Sequence, residues 1–370
     1  MARIDAIFKL VKQQGASDLH LTTGSPPMVR INGEIVPIPY EELKADVLEL
    51  LLFELMDPIQ RARFDQLRDV DFSYEVPGAL RLRCNIYEQS RGVAGAFRLL
   101  PNQILSIQQL GLPEAIVRFT ELQRGLVLVA GPPGAGKSST LAAIIDHVNR
   151  TQAKHILTLE DPIEYRHTNR RSLVTQREIP RHTPSFAQGL KSALREDPDI
   201  ILVGEMRDPE TMALAITAAA TGQLVLGTLH TRSAPQTVDR ILDSFESDRQ
   251  GHVRMILAES LKGVVAQQLI RRADGRGRVL AAEIMMGNTA VASMIREKKT
   301  FQLASIIQTG KKDGMQSMDE SILSHVRAGL VTPEEGAGYL TNRELLPAGA
   351  RPAAGAPARP AEPGPTRQAA

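Results

Sequence analysis

At 370 residues the chain has room for two to three domains and at least one sizeable core. Hydrophobic residues are 42% and charged residues 23%, ordinary for a globular protein, and a net charge of +2 gives no global pull toward nucleic acid or anionic lipid. The one cysteine, Cys84, excludes an internal disulfide and a four-cysteine zinc site.

The chain opens with "MARIDAIFKLVKQQGASD", which lacks the continuous apolar stretch of a secretory leader. Ile4, Ile7, Phe8 and Val11 fall at helical spacing with Gly15 as a stop. This predicts an amphipathic helix packed on its own domain, with a membrane-surface helix as the alternative. "SDLHLTTGSPPMVRINGEIVPI" alternates apolar and polar residues around Gly and Pro turns, as short antiparallel strands do. "ADVLELLLFELM" reads as helix, and "ALRLRCNIYEQSRGVAGAFRLLP" returns to strands. Residues 1–103 therefore form an α+β unit, and 104–120 a linker and helix.

From 121 to 346 the pattern changes. Short apolar runs ("GLVLVA", "KHILTLE", "DIILVGE", "QLVLGTLH", "RVLAAEIMM") alternate with helical segments, which predicts an α/β domain with a mostly parallel sheet covered on both faces. From about residue 288 the chain reads as helices. The segment 347–370 holds six Pro and nine Ala among its 24 residues, too little apolar bulk to fold, so a disordered tail is expected. No apolar run approaches a membrane span, which places the protein in the cytoplasm.

Gly131–Ser138, "GPPGAGKS", fits G-x-x-x-x-G-K-[ST] between an apolar strand and a helix with Leu141, Ile144, Ile145 and Val148 on one face. In such a loop, here Gly131, Pro132, Pro133, Gly134, Ala135 and Gly136, the glycines let the backbone N–H groups of the non-proline residues curl around phosphate oxygens, and the helix end at Ser138 and Ser139 adds positive charge. Lys137 should reach the β- and γ-phosphates of ATP, and Ser138 should hold Mg²⁺. Hydrolysis also needs carboxylates. "DIILVGEMRD" ends a strand in Glu205, with Gly204 where an ordinary Walker B strand carries Asp. "LTLEDPIEY" ends another with Glu160, Asp161 and Glu164. Any one of these acids alone reads as a solvated strand end; two clusters at carboxyl strand ends beside a phosphate loop point to chemistry. His230, closing "LVLGTLHT", is placed to sense a γ-phosphate, although a lone His is more often structural.

Taken together these segments resemble a known family. "LREDPDIILVGEMRD" resembles the signature of secretion ATPases of the type II/type IV pilus class, "LEDPIEY" their Asp box and "GTLHT" their His box. "GASDLHLTTGSPPMVRINGE", "LKGVVAQQLI" and "GMQSMDESI" resemble the pilus-retraction (PilT) subfamily, over about residues 3–345. The resemblance implies a homohexamer of two-domain subunits, each with a PAS-like N-terminal domain and a RecA-like ATPase domain, binding ATP between domains and subunits. It implies retraction of type IV pili through an inner-membrane platform protein (PilC-like) and, indirectly, pilin, from the inner face of the cytoplasmic membrane. By motif matching Glu205 is the Walker B acid, with Ser138 at the metal; Glu164, with Glu160 and Asp161, is the Asp-box acid, and His230 the His-box residue. Arg83 and Arg98, with Arg81 and Arg91 as further candidates, match the N-terminal arginines that complete the site. Their physical rationale is a guanidinium that neutralises the transferring phosphate.

Three departures from the family pattern stand out. "AATGQ" carries Ala220 and Gln223 where a Glu and a His are usual, "AVASMIRE" (290–297) alters a retraction-motor helix, and the phosphate loop has Pro133 and Ala135. None touches Lys137, Glu205 or His230. The competing functions are an accessory or regulatory paralogue, a pilus-assembly or type II secretion ATPase, and a nucleic-acid motor using "RHTNRRSLVTQREIPRH". The absence of Trp and 4% aromatics argue against the last, so no nucleic-acid partner is expected.

Overall fold

The alternating segments of the first hundred residues become a six-stranded antiparallel sheet. The structure, a computed structural model, describes residues 2–31, 34–101 and 103–346; the expected tail at 347–370 lies outside the described residues. Two compact units divide the chain, one within Met1–Gln103 and the other beginning at Ile104. The first contains α1 (Asp5–Gln13), β1 (Asp18–Thr22), β2 (Met28–Ile31), β3 (Glu34–Pro37), α2 (Ala45–Phe53), α3 (Pro58–Leu67), β4 (Asp69–Val76), β5 (Leu80–Gln89) and β6 (Gly92–Leu100). The sheet order is β3-β2-β1-β6-β5-β4.

The amphipathic stripe of α1 is used inside this unit. Ile4, Phe8 and Val11 are fully buried in its core, Ile7 packs against it, and the Phe8 ring lies 5.1 Å from that of Phe97. A membrane-surface role for that face is thereby overturned, because its apolar side chains are already covered.

The second unit runs α4 (Val117–Thr120), β7 (Gly125–Ala130), α5 (Lys137–Thr151), β8 (His155–Glu160), β9 (Leu173–Glu178), α6 (Phe186–Ala193), β10 (Ile200–Val203), α7 (Pro209–Thr221), β11 (Leu224–Leu229), α8 (Ala234–Asp243) and α9 (Ser247–Ser260). It continues with β12 (Leu261–Arg271), β13 (Arg278–Met286), α10 (Thr289–Arg296), α11 (Leu303–Thr309), α12 (Met318–Arg327) and α13 (Pro333–Ala337). Its sheet has the order β13-β12-β7-β11-β10-β8-β9, parallel except where β12 pairs antiparallel with β13. "RVLAAEIMM" is therefore an antiparallel edge strand. Two strands, β9 and β12, join the five apolar runs.

Every residue of β7 is buried, and its side chains alternate between two cores. Leu126, Leu128 and Ala130 face the core shared with α7, α8 and α9, while Val127 and Val129 face the one shared with α5. Burial on both faces is what a continuous apolar run encodes. The parallel strands β7, β8, β10 and β11 all deliver their carboxyl ends to one side of the sheet, where Gly131, Asp161, Gly204 and His230 follow them. Among the described residues no helix is long and apolar enough to cross a membrane.

Candidate active site

The phosphate loop is built by residues that tolerate left-handed torsions. Gly131, Gly134 and Gly136 have φ of 149°, 77° and 86°, and a Cβ on Gly131 would lie 2.4 Å from the Gln267 carbonyl oxygen. The loop then opens directly into α5, whose N-terminus has no side-chain cap, the arrangement that suits a bound anion. The Lys137 ammonium donates to the carbonyls of Gly131 (2.8 Å) and Pro132 (3.2 Å). Burial lowers its pKa, against the opposing pull of Glu205 and Glu164.

From Lys137 a line of polar contacts crosses three strand ends. Its ammonium lies 3.3 Å from His230 Nδ1, and His230 Nε2 lies 2.9 Å from Glu205 Oε1. An ammonium can only donate, so Nδ1 accepts and Nε2 carries the hydrogen that reaches Glu205. Glu205 Oε2 in turn lies 2.6 Å from Arg207 Nη2. Burial pushes the Glu205 carboxyl up, but the Arg207 hydrogen bond and charge, with His230, more than offset it and hold the group below the usual carboxylate range. Glu205 is thus an anion fixed between two donors.

Glu160, one strand away, is in the opposite condition. Burial pushes its pKa up to about 7, partly opposed by hydrogen bonds from the Thr158 hydroxyl (2.7 Å) and Gln176 Nε2 (3.1 Å), with Glu164 adding repulsion. Gln176 also donates to the Tyr165 carbonyl (2.9 Å) and accepts the His167 N–H (2.8 Å). Glu178 accepts the Ile163 N–H at 3.1 Å. Two β9 side chains therefore clamp the loop that carries Asp161, which is exposed, and Glu164, which is half-buried. Tyr165 closes the loop onto α5 through a 2.6 Å contact with the Ser139 hydroxyl.

Gly204 has a tertiary reason to lack a side chain: a Cβ there would sit 3.0 Å from the Leu159 carbonyl oxygen, where β8 and β10 converge. Pro133 and Gly134 are exposed at the loop tip, Pro132 is half-buried and Ala135 buried. Ser138, at the start of α5, is half-buried. Its hydroxyl and the Glu205 carboxylate are hard oxygen donors of the kind Mg²⁺ takes.

The structure thus brings together Lys137, His230 and Glu205, with Glu164 near enough to act on the Lys137 charge and Glu160 near enough to act on Glu164. Arg83 and Arg98 lie in the first unit, where Arg83 pairs with Asp71, and Arg98 Nε donates to Asp18 Oδ1 at 2.8 Å. Sequence reasoning missed Arg207, Gln176 and Gln267. Arg207 stood in the quoted "GEMRD", two residues from Glu205; the two glutamines had no local signal.

Of the departures from the family pattern, Pro133 and Ala135 lie in the phosphate loop itself, and the other two fall elsewhere. Gln223 immediately precedes β11, and its carbonyl accepts the Gly125 N–H at 3.0 Å. Six strand residues, about 20 Å, separate it from His230. In α10, Val291 and Ile295 are buried in the core with α9, while Arg296 and Glu297 are exposed.

A phosphate loop and a strand-end carboxylate on a mostly parallel sheet define a RecA-like P-loop ATPase. The sequence profile of the type II/IV secretion system protein family matches residues 1–338, and the chain belongs to that family. It is similar to the type IV pilus retraction ATPase PilT of Pseudomonas aeruginosa, with 49% identity over 331 residues, 90% of this chain and 96% of that one. It is also similar to the type IV pilus ATPase PilU of the same organism, at 35% identity over 90% of this chain and 87% of that one. The crystal structure of the pilus retraction motor PilT with bound ADP superposes with a TM-score of 0.85 at 41% identity, covering 94% of this chain and 99% of that chain.

Proposed function

We propose that this chain is an ATP-hydrolysing motor subunit that assembles as a homohexamer and powers type IV pilus retraction. It would act on the inner-membrane platform protein from the inner face of the cytoplasmic membrane. The observation that carries the reading is the line Lys137–His230–Glu205–Arg207 across the ends of β7, β11 and β10. It ties a phosphate-binding lysine to a deprotonated acid through a histidine whose tautomer is set, so a γ-phosphate contact at Lys137 or His230 would be felt at Glu205. The 49% identity to a pilus retraction ATPase supplies the mechanical task.

In this reading the loop N–H groups and Lys137 bind the nucleotide phosphates, and Glu205 orients the attacking water. Glu164, with Glu160 and Asp161, would shape the opposite wall. Ser138 and Glu205 would hold Mg²⁺, which when bound neutralises phosphate charge. Arg83 and Arg98 would supply guanidinium charge to the transferring phosphate in the assembled motor.

A second reading, an accessory paralogue, draws on the altered "AATGQ" and "AVASMIRE" segments. Against it, Gln223 lies at the strand end remote from the phosphate loop. The test is Lys137→Ala at the native locus, scored by surface pili and twitching. Abundant pili with lost twitching is the expected result. Bare cells would mean an assembly motor, and unchanged pili and motility an accessory subunit.

A further inference from the structure

Gln267 sits midway along β12, one residue past the last pair with β7, and is fully buried. A buried primary amide must place two donors and an acceptor, so its partners are informative. Its Nε2 donates to the Ala135 carbonyl at 2.7 Å, and its Oε1 accepts the Thr140 hydroxyl at 2.9 Å. Ala135 belongs to the phosphate loop and Thr140 to the first turn of α5, so one side chain spans the bend between them. Its surroundings bear on the loop's glycines as well: a Cβ on Gly136 would lie 3.3 Å from Gln267 Nε2, and one on Gly131 would meet the backbone carbonyl of residue 267 at 2.4 Å.

We propose that Gln267 is the positioning residue of the nucleotide site. Its amide fixes the curvature of residues 131–140 so that the loop's N–H groups are preset for phosphate. This rests on reading Gly131–Ser138 as the nucleotide loop. Gln267 touches none of the reacting groups, so its contribution is to affinity for ATP and ADP alike, through ordering that the ligand would otherwise have to supply. It also fastens the loop to a strand whose partner, β13, leads into α10–α13. Through Gln267, Ala282 is the residue in register with the latch on that partner strand.

The test uses the purified full chain, a fluorescent N-methylanthraniloyl-ADP titration and steady-state ATP hydrolysis. Gln267→Leu keeps the volume but removes both the donor to the Ala135 carbonyl and the acceptor for Thr140. Binding weaker by about tenfold or more is expected, with KM rising in parallel and kcat at saturating ATP within about threefold of wild type. Thr140→Val removes one bond at constant volume, and a smaller loss of about threefold to tenfold is expected. A purely structural amide would lower the melting temperature of the nucleotide-free protein and leave these constants unchanged. Unchanged ADP affinity in either variant, or a kcat loss at constant KM, overturns the proposal. Failure of the wild-type chain itself to bind the probe would instead overturn the nucleotide reading beneath it.

Discussion

Glu160 and Glu205 stand just beyond or at the carboxyl ends of adjacent parallel strands, β8 and β10, yet they are held in opposite protonation regimes. Glu205 has two donors on its two oxygens, one of them a guanidinium, and is kept an anion. Glu160 is desolvated among neutral partners and a like-charged neighbour, Glu164, and is pushed to about 7. The difference shows that a strand-end carboxylate acquires its chemistry from what packs around it. One acid is suited to orienting water or a metal at all working pH values, the other to taking or giving a proton near neutrality.

The comparison breaks most severely at Glu205. Glu205→Gln keeps the shape and loses the charge, and ATP hydrolysis is expected to fall by about a hundredfold or more, near 3 kcal/mol, while nucleotide binding persists. Phosphate release beside a nucleotide-binding titration checks this; retention of more than a tenth of the rate would remove Glu205 from the chemistry. At Glu160 the expected effect is on stability. Its folded pKa lies above its ordinary 4.5, so the folded state binds the proton more tightly. Its contribution is fully present below about pH 4.5 and is lost as pH rises through about 7, by roughly 3 kcal/mol. Denaturant unfolding at pH 5 and pH 8 should show Glu160→Gln gaining on wild type at the higher pH; parallel behaviour at both would contradict the assignment.

Gln176→Leu sharpens the contrast by stripping Glu160 of one partner and the Tyr165 carbonyl and His167 N–H of theirs. A stability loss of about 2 kcal/mol is expected, with the pH window of the Glu160 effect moved upward. The smallest effect is at Arg207, whose side chain is 73% exposed. Arg207→Ala should let the Glu205 pKa rise, yet cost under about 1 kcal/mol, and the acid limb of the rate profile should shift less as salt increases. A loss as large as that of Glu205→Gln would instead make Arg207 a participant in the reaction.

The strand β7, its glycine loop and α5 were legible because everything they need is contiguous: apolar burial on both faces, glycines at left-handed torsions and a helix start. β9 was not. Its pattern Leu173–Glu178 buries only Glu178 fully, so its residues read as part of a basic patch instead of a strand. Arg177, one of those basic residues, pairs with Glu196 at 2.7 Å. β12 carries no clear strand signal of its own, since Gly263, Gln267 and Gln268 interrupt its apolar run. β9 owes its place to pairing with the preceding strand β8, and β12 to pairing with the distant β7.

By itself the sequence determined the phosphate loop, the alternation of strand and helix, and the family to which the chain belongs, because each is written in short runs whose torsions and burial are local. Only the tertiary structure decided which donors reach Glu205, what desolvates Glu160, and that a glutamine 127 positions from Thr140 closes on the loop. Charge state and preorganisation depend on distance and dielectric between segments that only the packed sheet brings together.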